Sequence, residues 1–184
     1  MLIIANHVTA FDVPLVLAAL PARIRRDTAV AMVGGLLMGW RHARTERHAW
    51  LRPLTPLAYW LVTALFNVFP LPQGAGFRRS FAHAGAAMDH GMHVILFPEG
   101  RRSEGEMLGA FQSGIGLLAR ESAAPVLPVA MIGVGQIKQH NVRWFRPGTV
   151  TIRVADAMTM ESDETPQDFT ARLEGRMRDL LAQR

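Results

Sequence analysis

The residues best suited to chemistry stand within the first dozen: Asn6, His7 and, five positions after the histidine, Asp12. An imidazole with one nitrogen held by a carboxylate keeps its other nitrogen free to take a proton. On a continuous helix five residues turn through about 140°, so His7 and Asp12 would not share a face. They meet if His7 sits on a turn and Asp12 lies in the first turns of the helix that follows. No serine accompanies the pair, so the nucleophile would be a hydroxyl of the substrate. The same residues also read as a capping asparagine, a surface histidine and an aspartate favoured by the helix dipole.

The second cluster is Phe97-Pro98-Glu99-Gly100-Arg101-Arg102-Ser103, which follows the apolar run from His93. α/β proteins build their sites on loops at the ends of buried strands. Gly100 allows a turn that other residues resist. Arg101 can fork onto phosphate oxygens, and Glu99 could orient that arginine or accept a substrate hydroxyl. A solvated Glu–Arg pair on a surface turn is the plainer alternative.

The elements that must position these residues alternate between strands and helices. Leu2–Ala5 reads as a buried strand and Val13–Leu20 as a buried helix, with Pro14 in its first turn and Pro21 near its end. Residues 29–33, 68–71 and 93–97 read as strands. So do 126–132, bent or at an edge because of Pro128, and 148–154, alternating at Val150, Ile152 and Val154. Helices are expected over 80–90, ending near Gly91, and over 111–120. A closing helix of about 166–183 is capped by Thr165-Pro166 and carries Phe169, Leu173, Met177 and Leu180 on one face. The pattern predicts an α/β fold, a mixed, largely parallel sheet flanked by helices. The whole of 1–184 reads as a single domain, and its abrupt start suits a fragment or the C-terminal domain of a longer protein.

The chain has no cysteine and a net charge of +5, and Lys138 is its single lysine. Disulfide and thiolate chemistry are excluded. Arginine excess suits phosphate, carboxylate or an anionic membrane; nucleic acid is not expected, because no recognition helix or aromatic RNA-binding motif is present. From Pro53 to Phe77 there is no charged residue. The apolar part falls short of the roughly 20 residues a spanning helix needs. It reads as a membrane-dipping helix, the wall of an acyl pocket or an ordinary core helix. No metal-binding set stands out; His90 and His93 span a helix end and a strand start.

Taken together, Asn-His-four residues-Asp and the later Phe-Pro-Glu-Gly-x-Arg-Ser resemble the glycerolipid acyltransferase family, whose best-known members are bacterial 1-acyl-glycerol-3-phosphate acyltransferases. The resemblance extends through Gly109–Gly114 and Pro125–Ala130, to about residue 155. It implies that His7 is the general base and Asp12 the carboxylate orienting it. It assigns Glu99, Gly100 and Arg101 to the acceptor's phosphate and Pro128 to the acyl-donor side, where a structural role accounts for a proline equally well. The family's second block offers an arginine where Gln73 stands here; Arg78 and Arg79 follow and could reach the same phosphate.

The implied activity is transfer of an acyl chain from acyl-CoA or acyl carrier protein, as co-substrate, to the hydroxyl of a lysophospholipid. It needs no metal or bound cofactor. The resemblance implies a peripheral or monotopic protein at the cytoplasmic face of a membrane. Backbone N–H groups at the start of the helix after His7 could stabilise the oxyanion. The alternatives are a thioester or lipid hydrolase and a non-catalytic lipid-binding or membrane-anchoring module.

Overall fold

The computed structural model describes residues 1–9, 11–33, 57, 60, 63, 68–71, 84–103, 107–138 and 146–183. In chain order the elements are β1 (Leu2–Ala5), α1 (Asp12–Ala19), α2 (Ala22–Arg26), β2 (Thr28–Val33), β3 (Val68–Leu71), β4 (His93–Leu96), α3 (Gly114–Ser122), β5 (Val126–Ile132), α4 (Val134–Ile137), β6 (Thr151–Val154) and α5 (Pro166–Ala182). Contacts group the chain into two compact units, Met1–Arg26 with Ile95–Arg184, and Asp27–Val94.

In the first unit β5 lies between two partners. It pairs in parallel with β1, from Leu2↔Val126 to Ala5↔Val129, and antiparallel with β6, from Val129↔Val154 to Ile132↔Thr151. Leu2, Ile3, Ile4 and Ala5 are all fully buried, as an unbroken apolar run requires of a strand covered on both faces.

Pro128 is therefore not on an edge strand, contrary to one expectation for it. Its carbonyl accepts the Ala155 N–H at 3.0 Å, but a proline has no N–H to return. The β5–β6 ladder stops there. Val126 would face Ala157 in the register set by Val129 and Val154; instead it exchanges both backbone bonds with Met158, at 2.8 and 2.7 Å. The proline thus sits at a β-bulge, which absorbs its missing donor. β6 is shorter than the alternating run suggested, and its last residue, Val154, is exposed.

Helix α1 buries Val16 and Leu17 but exposes Pro14, Ala18 and Ala19, so it is half-buried and not the fully buried helix that its apolar sequence suggested. It stops at Leu20, whose extended backbone is the conformation favoured before Pro21. Helix α5 follows the expected plan. The Thr165 hydroxyl accepts the Asp168 N–H, and Phe169, Leu173, Met177 and Leu180 are buried. Each such side chain contributes about 1.5–3 kcal/mol on burial, far more than helix propensity supplies to a segment this short.

Helices α3 and α5 pack without a spacer at Gly116. A Cβ there would lie 1.9 Å from the Pro166 carbonyl oxygen. The Gly116 N–H donates to Thr170 Oγ1 at 3.1 Å, and that hydroxyl donates to the Pro166 carbonyl at 2.7 Å.

In the second unit β2 and β3 pair in parallel, from Val30↔Val68 to Val33↔Leu71. The described helix over 84–89 ends before Gly91, as expected. Within the uncharged stretch Leu57, Trp60 and Thr63 are helical, and Leu57 and Trp60 are exposed. Gln73, Arg78 and Arg79 lie outside the described residues, as does most of 53–77. Parallel pairs in both units and one antiparallel pair in the first, with flanking helices, give the mixed, largely parallel α/β fold. No helix among the described residues is long and apolar enough to cross a membrane.

Gly116→Ala is expected to lower unfolding free energy by about 1–3 kcal/mol through overpacking against backbone. Urea unfolding of the two proteins would measure it, and an unchanged midpoint would show that α3 and α5 separate freely.

Candidate active site

Strand β1 delivers the site. After its last backbone pair, the Asn6 side chain continues the contact with β5: Nδ2 donates to the Met131 carbonyl at 3.0 Å, and Oδ1 accepts the Met131 N–H at 2.8 Å. Asn6 is thus a buried strand extension, not a helix cap, and it frees the backbone to turn at His7.

Asp12 opens α1 and is wholly buried. Its Oδ2 accepts from His7 Nδ1 at 2.8 Å, Val8 N–H at 2.6 Å and Thr9 N–H at 2.9 Å. Its Oδ1 accepts from Thr9 N–H at 3.0 Å and the Thr9 hydroxyl at 2.7 Å. A carboxylate only accepts, so Nδ1 carries the proton and Nε2 presents its lone pair. The ring is one-quarter exposed and stacks on Phe97, with centroids 4.3 Å apart and planes at 24°. Five-residue spacing brings His7 and Asp12 together because the turn lies between them.

The second motif grips the His7 peptide from both sides. Glu99 Oε1 accepts the His7 N–H at 2.9 Å. Ser103 donates to the His7 carbonyl twice, from its N–H at 2.7 Å and its hydroxyl at 2.8 Å. Between these anchors the chain turns with the Gly100 N–H on the Phe97 carbonyl at 3.1 Å. Pro98 pre-sets the turn's second position, and Gly100 adopts φ +69, a left-handed value that favours glycine.

Glu99 is 3 % exposed, and its second oxygen accepts the Gly109 N–H at 2.7 Å. It neither pairs with Arg101 nor faces outward, which corrects the expectation that it could orient that arginine. Burial pushes its carboxyl above the usual glutamate range, and the N–H groups of His7 and Gly109 offset part of that rise. Arg101 is exposed, with no hydrogen bond or ion pair among the described residues.

Three N–H groups just ahead of α1, beside the oxyanion donors expected at its start, are already engaged: those of Val8, Thr9 and Phe11. The first two N–H groups face Asp12, and the third donates to Thr9 Oγ1 at 3.1 Å. Pro128 pairs with Ile4 in the sheet, and interrupting the ladder is the role its position displays. Arg78 and Arg79 cannot be placed beside the site, lying outside the described residues.

The sequence assigns no role to Thr9, Ser103 or Gly109, which bond Asp12, His7 and Glu99. A signal existed for the first: Thr9-x-x-Asp12 has the form of a capping box, in which an acidic side chain reaches back to the N–H three residues earlier. Helix α3 also begins three residues later than periodicity suggests. The N–H groups of Gly109, Phe111 and Gln112 go to Glu99, Glu174 and Pro98, outside any helical ladder.

Residues 1–132 match the family model described as Acyltransferase. The lyso-ornithine lipid O-acyltransferase of Pseudomonas aeruginosa is 30% identical over 132 residues, which is 71% of this chain and 42% of that protein. The chloroplastic 1-acyl-sn-glycerol-3-phosphate acyltransferase BAT2 of Brassica napus is 40% identical over 47 residues, 26% of this chain and 14% of that one. The chain thus spans less than half the length of either relative. The crystal structure of the 1-acyl-sn-glycerophosphate (LPA) acyltransferase PlsC from Thermotoga maritima shares the fold, with a TM-score of 0.65 at 21% identity over all of this chain and 67% of that one.

Glu99→Gln leaves one amide oxygen where two N–H groups need acceptors, so about 1–3 kcal/mol of stability should be lost. The pH dependence should change too. Between the ordinary glutamate value and the raised native one, the folded protein holds more protons than the unfolded chain, so stability falls as pH rises through that window. Unfolding curves across the window should show this slope in the unsubstituted chain and not in the variant; identical slopes would remove Glu99 as its source.

Proposed function

The chain belongs to the acyltransferase family, and from that premise we propose that it moves a fatty acyl group from a thioester carrier to the hydroxyl of a lysophospholipid, with His7 as general base. Acyl-CoA or acyl carrier protein serves as the carrier. The observation carrying this reading is the buried Asp12 on His7 Nδ1, which leaves Nε2 as a free base.

In the proposed reaction the acceptor O–H gives its proton to Nε2 as its oxygen attacks the thioester carbonyl carbon. The tetrahedral intermediate collapses, the C–S bond breaks, and the sulfur leaves as a thiol, taking the proton back from the imidazolium. Asp12 holds the Nδ1 proton and stabilises the charged ring. A thioester is already activated, so a base and a positioned hydroxyl suffice. Arg101, exposed between two anchors on His7, receives the acceptor's anionic group.

An open groove of about 330 Å³ is lined by Thr9, Phe11, Leu15, Val134, Ile137 and Lys138. Its lining is largely apolar and includes Thr9, which bonds Asp12, so the groove suits an acyl chain. A net charge of +5 and the exposed Leu57 and Trp60, one helical turn apart, favour work at an anionic membrane surface. We place the protein peripherally, at the cytoplasmic face.

A second reading of the acceptor, a lyso-ornithine lipid without phosphate, is favoured by the 132-residue match to an enzyme of that name and by Gln73, where an arginine is expected.

The deciding measurement is thiol release from a long-chain acyl-CoA by protein in detergent, with lysophosphatidate, with lyso-ornithine lipid and with neither. Release should depend on an acceptor and fall by about 100-fold or more in His7→Ala with the fold retained. Release indifferent to both acceptors would establish a hydrolase instead. Arg101→Ala should raise KM for phosphorylated acceptors about tenfold, the loss of one charge-assisted hydrogen bond. Equal loss with neutral acceptors would remove the arginine from phosphate binding.

A further inference from the structure

We propose that Glu174, on α5, is a positioning residue for acyl transfer, acting on His7 through the loop of residues 109–112. The inference rests on His7 being the base. Helix α5 lies wholly beyond residue 132, where the family match ends, so nothing in that match assigns it to the site.

The loop between the second motif and α3 has no ladder of its own. Every N–H it buries must find an acceptor elsewhere, and three do so in three directions. Gly109 donates to Glu99 Oε2 at 2.7 Å, Phe111 to Glu174 Oε2 at 2.9 Å, and Gln112 to the Pro98 carbonyl at 2.8 Å. Glu174 is therefore the central of three tethers, and the two outer ones end on the turn that holds His7. Glu99 passes the constraint on directly, since its other oxygen accepts the His7 N–H.

The carboxylate of Glu174 is itself held. Arg178, one turn later on α5, pairs with its other oxygen. The loop lies close against Glu99: a methyl group on Gly109 would stand 2.8 Å from its Oε2. Losing the Phe111 tether would let the segment move against Glu99, and with it the His7 peptide. The fold does not depend on this bond. Helix α5 stays seated through Phe169, Leu173, Met177 and Leu180, and α3 stays on it through Gly116 and Thr170.

The test compares Glu174→Ala and Glu174→Gln in the whole chain, with Glu164→Ala as control. The control breaks the Glu164–Arg172 pair beside the start of the same helix without touching the loop. Acceptor-dependent thiol release is measured at a temperature where circular dichroism shows every variant fully folded. Glu174→Ala should lower kcat about tenfold with KM for the acyl donor unchanged, as expected when a reacting group is displaced without losing a substrate contact. Glu174→Gln keeps an oxygen for the Phe111 N–H and should restore most of the rate, and the control should match the unsubstituted chain. A kcat within twofold of the unsubstituted value in Glu174→Ala, or equal losses in the Ala and Gln variants, would overturn the proposal. His7→Ala in the same assay separates the two claims: full activity there overturns both, whereas an inactive His7→Ala beside an unaffected Glu174→Ala overturns this one alone.

Discussion

Two carboxylates are buried beside one imidazole, and each must be given donors from protein because water cannot reach it. Asp12 and Glu99 are 0% and 3% exposed. Left unpaired, either would cost several kcal/mol. The backbone from His7 to Thr9 is shaped by that demand, with Val8 and Thr9 turning their N–H groups toward Asp12. The loop after the second motif is shaped by the same demand, with Gly109 turned toward Glu99. On the same turn Arg101 and Arg102 stay exposed.

The same constraint explains what could be read from the sequence. Elements defined by apolar runs or periodicity were legible: β1 from Leu2–Ala5, and α5 from Phe169, Leu173, Met177 and Leu180. Burial of those side chains is a property of the segment itself. The His7–Asp12 contact was legible because it is local and its geometry follows from a turn leading into a helix. The direction of Glu99 was not. A glutamate on a loop can face solvent or protein equally well, and its donors come from His7, 92 residues away, and Gly109, 10 residues away. Pro128 is half legible: its missing donor is plain from the sequence, but a bulge between Ala155 and Met158 absorbs it, so the strand need not lie at an edge.

The start of α1 illustrates a competition that no local pattern resolves. N–H groups at a helix N-terminus are natural anion donors, which is why an oxyanion could be expected there. In this chain the anion they meet is the protein's own. Val8 and Thr9 hold Asp12, and Thr9 Oγ1 takes the Phe11 N–H. Orienting an imidazole and binding an oxyanion would draw on the same few donors, and the N–H groups of Val8 and Thr9 go to the carboxylate on His7.

The second motif divides its labour by direction. Glu99 and Ser103 reach inward to the two ends of the His7 peptide, its N–H and its C=O, while Arg101 between them stays outside. The change of direction falls at Gly100, whose φ of +69 would cost another residue about 1–2 kcal/mol. Arg101 and the two anchors of the His7 backbone thus share one turn. In the proposed transfer a hydroxyl must reach Nε2 while the acceptor's anionic group is held, and one turn that carries both the His7 anchors and Arg101 suits that demand.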